Sequence, residues 1–302
     1  MLIGVEWTSQ AFDAQLIDSS GEVIAELHRD AGTATIREAR FAETFAEIVP
    51  QGWLDQAEAV YFSGMITGRG GWVETGFANT PAGLADLGAA AVRQPGRGLP
   101  LVFLPGVSSL GALPDVMRGE EIRVLAAAGE HAKATAVMPG PHTKYVAVEA
   151  GRITRLGTYM GGETAKLLSR DSLISRLIPA GAPLSEAGYD RGLMAAWDDA
   201  LPGDVLRRLF SARSLVLFER MPAEEISGYI AGLLAGAEIA EAEQEWALHS
   251  GPVLVLGTSP EAQRYLRALR QRGIEAEPRV VATAPSFAGL HRALQSEAAL
   301  PI

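Results

Sequence analysis

Apolar and polar positions alternate with period two at the start of the chain. Phe12, Ala14 and Leu16 interleave with polar neighbours, Asp18-Ser-Ser-Gly21 supplies a turn, and the pattern predicts strands over residues 2–7, 11–17 and 22–28. The layout returns over 134–138, 144–149 and 152–158, interrupted at Pro139-Gly140 and at Glu149-Ala-Gly151. Setting Val5 against Val137 puts Thr8 where Gly140 stands and brings Gly21 and Gly151 within two positions of each other. The two segments read as copies of one plan, a hairpin followed by a third antiparallel strand. Between them, 41–48 has helical spacing, 59–62 and 101–103 read as buried strands, and Pro95-Gly-Arg-Gly98 as a loop. Beyond the second hairpin, helical spacing covers 163–177, 193–199 and much of 223–246. Near the end, 252–256 is a compact apolar strand. Ser259-Pro260 then offers an N-cap and a first-turn proline, Ala262, Tyr265, Leu266 and Leu269 form a helical stripe, and Gly273 closes it.

A chain of 302 residues suggests two domains. The hairpins place them over 1–112 and 113–285, with a C-terminal helix over 286–302 completing the first. Apolar residues make up 48% and charged ones 21%, which excludes a disordered chain. The longest apolar runs, such as 253–256 and 215–218, fall far short of the roughly 20 residues a membrane span needs. No membrane association is expected. A net charge of −10 argues against nucleic acid as a partner, so an anionic ligand must be held by local cations or backbone N–H groups. Zero cysteines exclude disulfides and thiolate chemistry. The opening Met-Leu-Ile-Gly-Val runs into a strand without the features of a secretory signal, so the expected location is cytoplasmic. Oligomeric state is not fixed by these features, and a homodimer stays open.

Several segments could carry chemistry. Ser63-Gly-Met-Ile-Thr-Gly-Arg-Gly-Gly-Trp72 leaves a predicted strand with four glycines around one arginine and one tryptophan. Its backbone could approach a ligand closely, Arg69 could clamp a carboxylate and Trp72 could wall a pocket; equally, it could be a tight surface turn with Trp72 in the core. Pro114-Asp-Val-Met-Arg-Gly-Glu-Glu-Ile122 is read as opening a helix with Glu120 and Glu121 in the first turn. A carboxylate there could take a proton from a hydroxyl, or simply complement the helix dipole by about 0.3–1 kcal/mol. Pro139-Gly-Pro-His-Thr-Lys-Tyr145 could cradle phosphate oxygens or be an ordinary hairpin turn. His142 has no second ligand at metal spacing. Gly257-Thr-Ser259 lies where a strand end meets a helix start, a common ligand position that a capped helix explains as well.

Taken in order, Gly64-Met-Ile-Thr-Gly-Arg-Gly-Gly-Trp72, Pro114-Asp-Val-Met-Arg-Gly-Glu-Glu121, Pro139-Gly-Pro-His-Thr-Lys-Tyr145, Gly161-Gly-Glu163 and Phe210-Ser-Ala-Arg213 resemble the 2-dehydro-3-deoxygalactonokinase family over nearly the whole chain. The resemblance implies an α/β fold of two ribonuclease-H-like, actin-like ATPase domains with a cleft between them. It also implies phosphorylation of the 6-hydroxyl of a sugar acid in galactonate catabolism, with ATP and Mg²⁺. By the same resemblance Glu120 is the base, with Glu121 the second candidate. Thr8, Ser9, Gln10, Gly140, His142, Thr143, Lys144, Gly257, Thr258 and Ser259 would hold ATP, and Gly64, Met65, Arg69, Trp72 and Arg118 the small-molecule sugar acid. Glu6 would be the metal-associated carboxylate.

The chain departs from that pattern in both phosphate turns. Glu6-Trp-Thr-Ser-Gln10 stands where the family shows Asp-Trp-Gly-Thr followed by a small polar residue, and Asp13 stands where an Arg is expected. Pro141 replaces a threonine, removing a hydroxyl and a backbone donor. These changes motivate an alternative, a sugar-acid-binding or regulatory protein whose ATP site has decayed.

Overall fold

The computed structural model describes residues 1–298 apart from 38, 97 and 130; Arg97 of the predicted 95–98 loop and residues 299–302 of the predicted last helix lie outside the described residues. Along the chain run β1 (Leu2–Trp7), β2 (Phe12–Ile17), β3 (Val23–Arg29), α1 (Phe41–Ile48), α2 (Gln51–Leu54), β4 (Val60–Ser63), β5 (Phe77–Asn79), α3 (Leu84–Ala89), β6 (Val92–Pro95), β7 (Pro100–Phe103), β8 (Gly106–Ser109), β9 (Asp115–Met117) and α4 (Glu120–Ala128). There follow β10 (Lys133–Met138), β11 (Thr143–Glu149), β12 (Arg152–Tyr159), α5 (Gly161–Arg170), α6 (Glu186–Trp197), α7 (Val205–Leu217), α8 (Ile226–Glu245), β13 (Val253–Leu256), α9 (Pro260–Gln271), β14 (Ala276–Arg279) and α10 (Ala284–Ala298).

One sheet has the order β3-β2-β1-β4-β7-β6, the other β12-β11-β10-β13-β14. In each, three sequential strands lead and the third position passes to a strand reached by a crossover, with β1·β4 and β10·β13 parallel. The shared order is that of a ribonuclease-H-like domain, present twice, and it is the duplication visible in the turn spacing. A small sheet, β5-β8-β9, accompanies the first. Residues 115–117 form a strand where the sequence reading opened a helix; the helix starts at Glu120, because Gly119 takes a φ of 106° that ends the extended run. Helical spacing over 163–177 breaks at Asp171, and a separate 3₁₀ turn covers Ser175–Leu177. No helix among the described residues is long and apolar enough to cross a membrane.

The chain divides into two compact units: Met1–Ala134 with Val146–Leu156 and Val281–Ile302, and Thr135–Tyr145 with Gly157–Val280. The division leaves 113–134 in the first unit, where α4 packs against α10.

In the first unit, Ile3, Val5 and Trp7 of β1 alternate into a core with Phe12, Phe41, Phe45, Phe62 and Phe103. On the opposite face of β1, Gly4 lets the ring of Phe287 from α10 lie against the strand; a Cβ there would overlap the ring. Tyr61 Oη and His291 Nδ1, 2.6 Å apart, fasten the same helix to β4.

In the second unit the helices α6 and α8 cross with almost no side chain between them. A Cβ on Gly188, Gly192, Gly228 or Gly232 would overlap the backbone carbonyl of Glu225, Tyr229, Ser185 or Tyr189 respectively. Glycine to alanine inside a helix ordinarily stabilises, so the sign reverses here. Gly232→Ala is expected to destabilise by about 1–3 kcal/mol, read as a lower thermal midpoint. Gly52→Ala, whose Cβ meets nothing, leaves the midpoint unchanged or raises it.

Candidate active site

In the first unit, β4 ends at Ser63 and the chain turns at Gly64, whose φ of 94° and approach to the Trp7 carbonyl leave no room for a Cβ. A Cβ on Gly119 would in turn stand 3.0 Å from Gly64 Cα. Three stretches of backbone therefore meet where α4 begins, and the two adjacent glutamates of its first turn diverge. Glu121 points inward and is 1% exposed. Both its oxygens accept from the Gly119 N–H, at 3.0 and 2.7 Å, and the Ser63 hydroxyl lies 3.2 Å from Oε1. Burial, reinforced by the neighbouring Glu120, pushes its carboxyl up to about 8. Burial thus favours the protonated form of Glu121, and its 1% exposure leaves Glu120 the more accessible of the two candidate carboxyls. Glu120 is half-buried, and its Oε2 accepts from the Arg118 N–H at 2.9 Å.

Glu6, near the end of β1, accepts at Oε1 from the Arg123 Nε–H at 2.7 Å. Its burial raises its pKa, and the Arg123 guanidinium pulls the other way. Among the described residues no three His, Asp or Glu side chains gather to hold a metal ion by themselves. A cation here would draw most of its ligands from water and phosphate with one carboxylate added, the mode Mg²⁺ favours, and Glu6 would be that carboxylate.

The turn after β1 is tied to itself. Thr8 Oγ1 accepts from the N–H of Gln10 at 3.2 Å and of Ala11 at 3.0 Å, while the carbonyls of Thr8 and Ser9 accept from Thr33 and Ala34. The Gln10 amide, one of those expected to meet phosphate, is therefore already taken, together with that of Ala11, by the threonine that stands in the place of the family's glycine.

Two residues expected to line the sugar-acid site have other work. Arg118 spends both terminal nitrogens on its own chain, donating to Thr67 O and Oγ1, Thr75 Oγ1 and O, and Gly76 O, and its guanidinium lies 4.5 Å from the Phe77 ring centroid. It clamps the glycine loop instead of reaching for a ligand. Trp72 packs against Phe45, Phe62 and Phe103 with centroids 5.3–6.0 Å away, so it belongs to the core and not to a substrate wall. Of the same loop Met65 and Arg69 are exposed, and Arg69 makes no hydrogen bond or ion pair among the described residues.

The second unit holds a cavity of about 420 Å³. Gly140, Pro141 and Thr143 line it from the turn before β11, Gly161, Gly162 and Lys166 from α5, Ser227 and Glu238 from α8, and Glu261, Arg264 and Tyr265 from α9. A Cβ on Gly162 would overlap the Gly140 carbonyl, so turn and helix start meet backbone to backbone. Ser227 Oγ is buried on this wall without a hydrogen-bond partner among the described residues, a group that a bound ligand would satisfy. Volume, apolar slots and an orphaned hydroxyl suit a nucleotide.

Only part of the expected ATP set lies on this wall. Gly140 and Thr143 do, but Thr143 is buried and its hydroxyl donates to the Gly140 carbonyl at 3.4 Å. His142 Nε2 instead meets Glu163 Oε2 at 2.6 Å on the surface. Lys144 is 8% exposed and donates to Thr158 Oγ1 at 2.7 Å within the hairpin, so its ammonium is structural. Gly257 takes φ 108° and Ser259 caps α9 through the Ala262 N–H; the cavity takes the next turns of α9 in place of Gly257, Thr258 and Ser259. Sequence reasoning, which took the stretch from Gly257 to Tyr265 to face the adenosine, missed Glu238 and Lys166 as wall residues. A trace of Glu238 was present: it shares a helical face with Ala235 and Ala242, both buried.

For Glu121 the folded pKa stands above the unfolded value of roughly 4.3. Between the two the folded chain keeps a proton that the unfolded chain releases, so this group's stabilisation is present at low pH and is lost as pH rises toward about 8. Glu121→Gln does not titrate. Relative to wild type, its thermal midpoint is expected to gain steadily from pH 5 to pH 8; a difference independent of pH would contradict the buried neutral carboxyl.

The sequence pattern of the 2-keto-3-deoxy-galactonokinase family matches residues 6–293. A protein of Rhizobium meliloti (strain 1021), provisionally named a 2-dehydro-3-deoxygalactonokinase, is 31% identical over 287 residues, 89% of either chain. The 2-dehydro-3-deoxygalactonokinase of Escherichia coli (strain K12) is 28% identical over 277 residues, 90% of either chain. A solved structure from Sinorhizobium meliloti, provisionally named the same, superposes with a TM-score of 0.83 at 27% identity, covering 99% of this chain and 100% of that one. With the doubled sheet order and the glycine-bounded start of α4 in place, the match over almost the full length makes this chain a member of the 2-keto-3-deoxy-galactonokinase family.

Proposed function

We propose that the protein transfers the γ-phosphoryl group of ATP to the 6-hydroxyl of 2-dehydro-3-deoxygalactonate or a close sugar acid. The observation that carries this is the family match over residues 6–293. The geometry supports separate roles for the two units. In the first, Glu120 is the carboxylate left facing outward when Glu121 turns in, and it takes the proton of the attacking hydroxyl. Arg69, free of internal partners, holds the acid's carboxylate by paired hydrogen bonds. In the second, the cavity between the Gly140 turn, α5, α8 and α9 binds the nucleotide. Phosphoryl transfer asks mainly for positioning and charge neutralisation, which these parts supply. Glu6 would be the carboxylate that holds Mg²⁺, which would supply screening of the phosphate charge. Use of ATP supports a cytoplasmic location. The alternative of a regulatory protein that has lost its nucleotide is not favoured by relatives named as kinases.

The test is ADP release by purified protein with Mg²⁺-ATP and a panel of 2-keto-3-deoxy sugar acids. Turnover is expected only when an acid is present. Glu120→Ala should lower kcat by about 10²–10⁴-fold with KM for the acid little changed. No turnover across the panel would refute the assignment, and full activity in Glu120→Ala would remove Glu120 from the role of base.

A further inference from the structure

Beneath the cavity of the second unit lies a buried polar network that the proposed chemistry does not use. Glu238, 6% exposed in the middle of α8, accepts from Tyr265 Oη at 2.6 Å, and Tyr265 Oη lies 2.6 Å from Tyr145 Oη. The Thr143 hydroxyl and the Gly161 N–H lie close enough to the same carboxylate to favour its charged form. Gly161 sits so close that a Cβ there would overlap Glu238 Oε2. Tyr145 and Tyr265 are almost wholly buried, so each hydroxyl depends on this chain of bonds for its partner.

The three groups at the carboxylate come from three different walls. Thr143 belongs to the turn that carries Gly140 and Pro141, Gly161 begins α5, and Tyr265 faces the cavity from α9. The Glu163 N–H donates to the Pro141 carbonyl at 2.9 Å, so turn and helix are already joined at their outer edge. Glu238 joins them at the inner edge and adds α9. Pro141 has no N–H and Thr143 gives its hydroxyl to the protein, so the turn has few donors of its own, and its grip on a nucleotide rests on where its backbone is held.

Resting on the reading of this cavity as the nucleotide site, we propose that Glu238 is the positioning residue of that site. One buried carboxylate holds the Gly140 turn, the start of α5 and Tyr265 in register, and thereby sets nucleotide affinity without touching the transferred phosphate. Removing it leaves the buried Tyr265 hydroxyl without its acceptor and takes away the group against which the start of α5 packs, which loosens the pocket before any ligand enters.

The test separates KM from kcat. Glu238→Ala is expected to raise KM for ATP by at least about tenfold and to weaken ADP binding by the same factor in calorimetry. Its kcat at saturating ATP and its KM for the sugar acid stay within about twofold of wild type. Glu238→Gln keeps one acceptor and should fall between the two. Tyr265→Phe removes a single donor and should raise KM for ATP by a smaller factor, which keeps the test alive if the alanine variant does not fold. An unchanged KM for ATP in both Glu238→Ala and Tyr265→Phe would overturn the proposal, as would a loss confined to kcat. If wild type turns over ATP and the variants match it, the positioning role alone fails. If wild type neither turns over nor binds ATP or ADP, the nucleotide reading of the cavity fails with it.

Discussion

A carboxyl buried beneath a glycine amide governs the first unit. Glu121 could not lie in that interior unless Gly119 offered its N–H and Ser63 its hydroxyl, and the carboxyl stays neutral because water cannot reach it. Gly119 in turn needs its positive φ, and Gly64 needs the absence of a side chain beside the Trp7 carbonyl. These demands fix where α4 starts. Once they are met, the neighbouring residue on the helix, a turn of about 100° away, must point elsewhere, and Glu120 takes the outward position. Placement of the candidate base follows from the burial of the residue beside it.

The same economy of contact recurs in the second unit. Four glycines let α6 and α8 meet backbone to backbone, and that packing sets the long helix from which Glu238 reaches three walls of the cavity. The first phosphate turn shows the opposite tendency. Thr8 fills it with its own hydroxyl and binds two of its amides, so a nucleotide finds fewer free donors there than a glycine would leave. The donor-poor second turn makes the scaffold around the cavity correspondingly more important.

Strands and turns were readable from the chain because alternation and glycine placement are local. Helix α1 appeared with its observed bounds, and both hairpins within a residue or two. Helix α7 was not read from the chain, although Val205, Leu209, Ala212 and Val216 form a stripe that packs on the core of the second unit; Leu206, Phe210 and Leu217, exposed at 84%, 56% and 57%, spread apolar residues round the rest of the helix and blur that stripe. Glu120 and Glu121 stand in the first turn of α4 as read, while β9 before them was not separated from the helix start because three residues are too few to show a period. The roles of site side chains were hardest to read. Arg118 answers to Thr67 and Thr75, Lys144 to Thr158 and Trp72 to Phe45 and Phe103, and whether a cation or an indole is free for a ligand depends on such partners and not on its own neighbourhood in sequence. A glutamate inside a long helix likewise looks like surface until the helix is packed, and Glu238 was overlooked for that reason.

The division of labour between Glu120 and Glu121 can be read directly by carbon-13 NMR. Selectively labelled glutamate carboxyls would be titrated, with the Glu121 signal assigned by its loss in Glu121→Gln. A midpoint near 8 for that carboxyl is the result the account predicts. A midpoint in the ordinary carboxylate range would mean that Glu121 meets water, and the packing argued to turn Glu120 outward would be wrong.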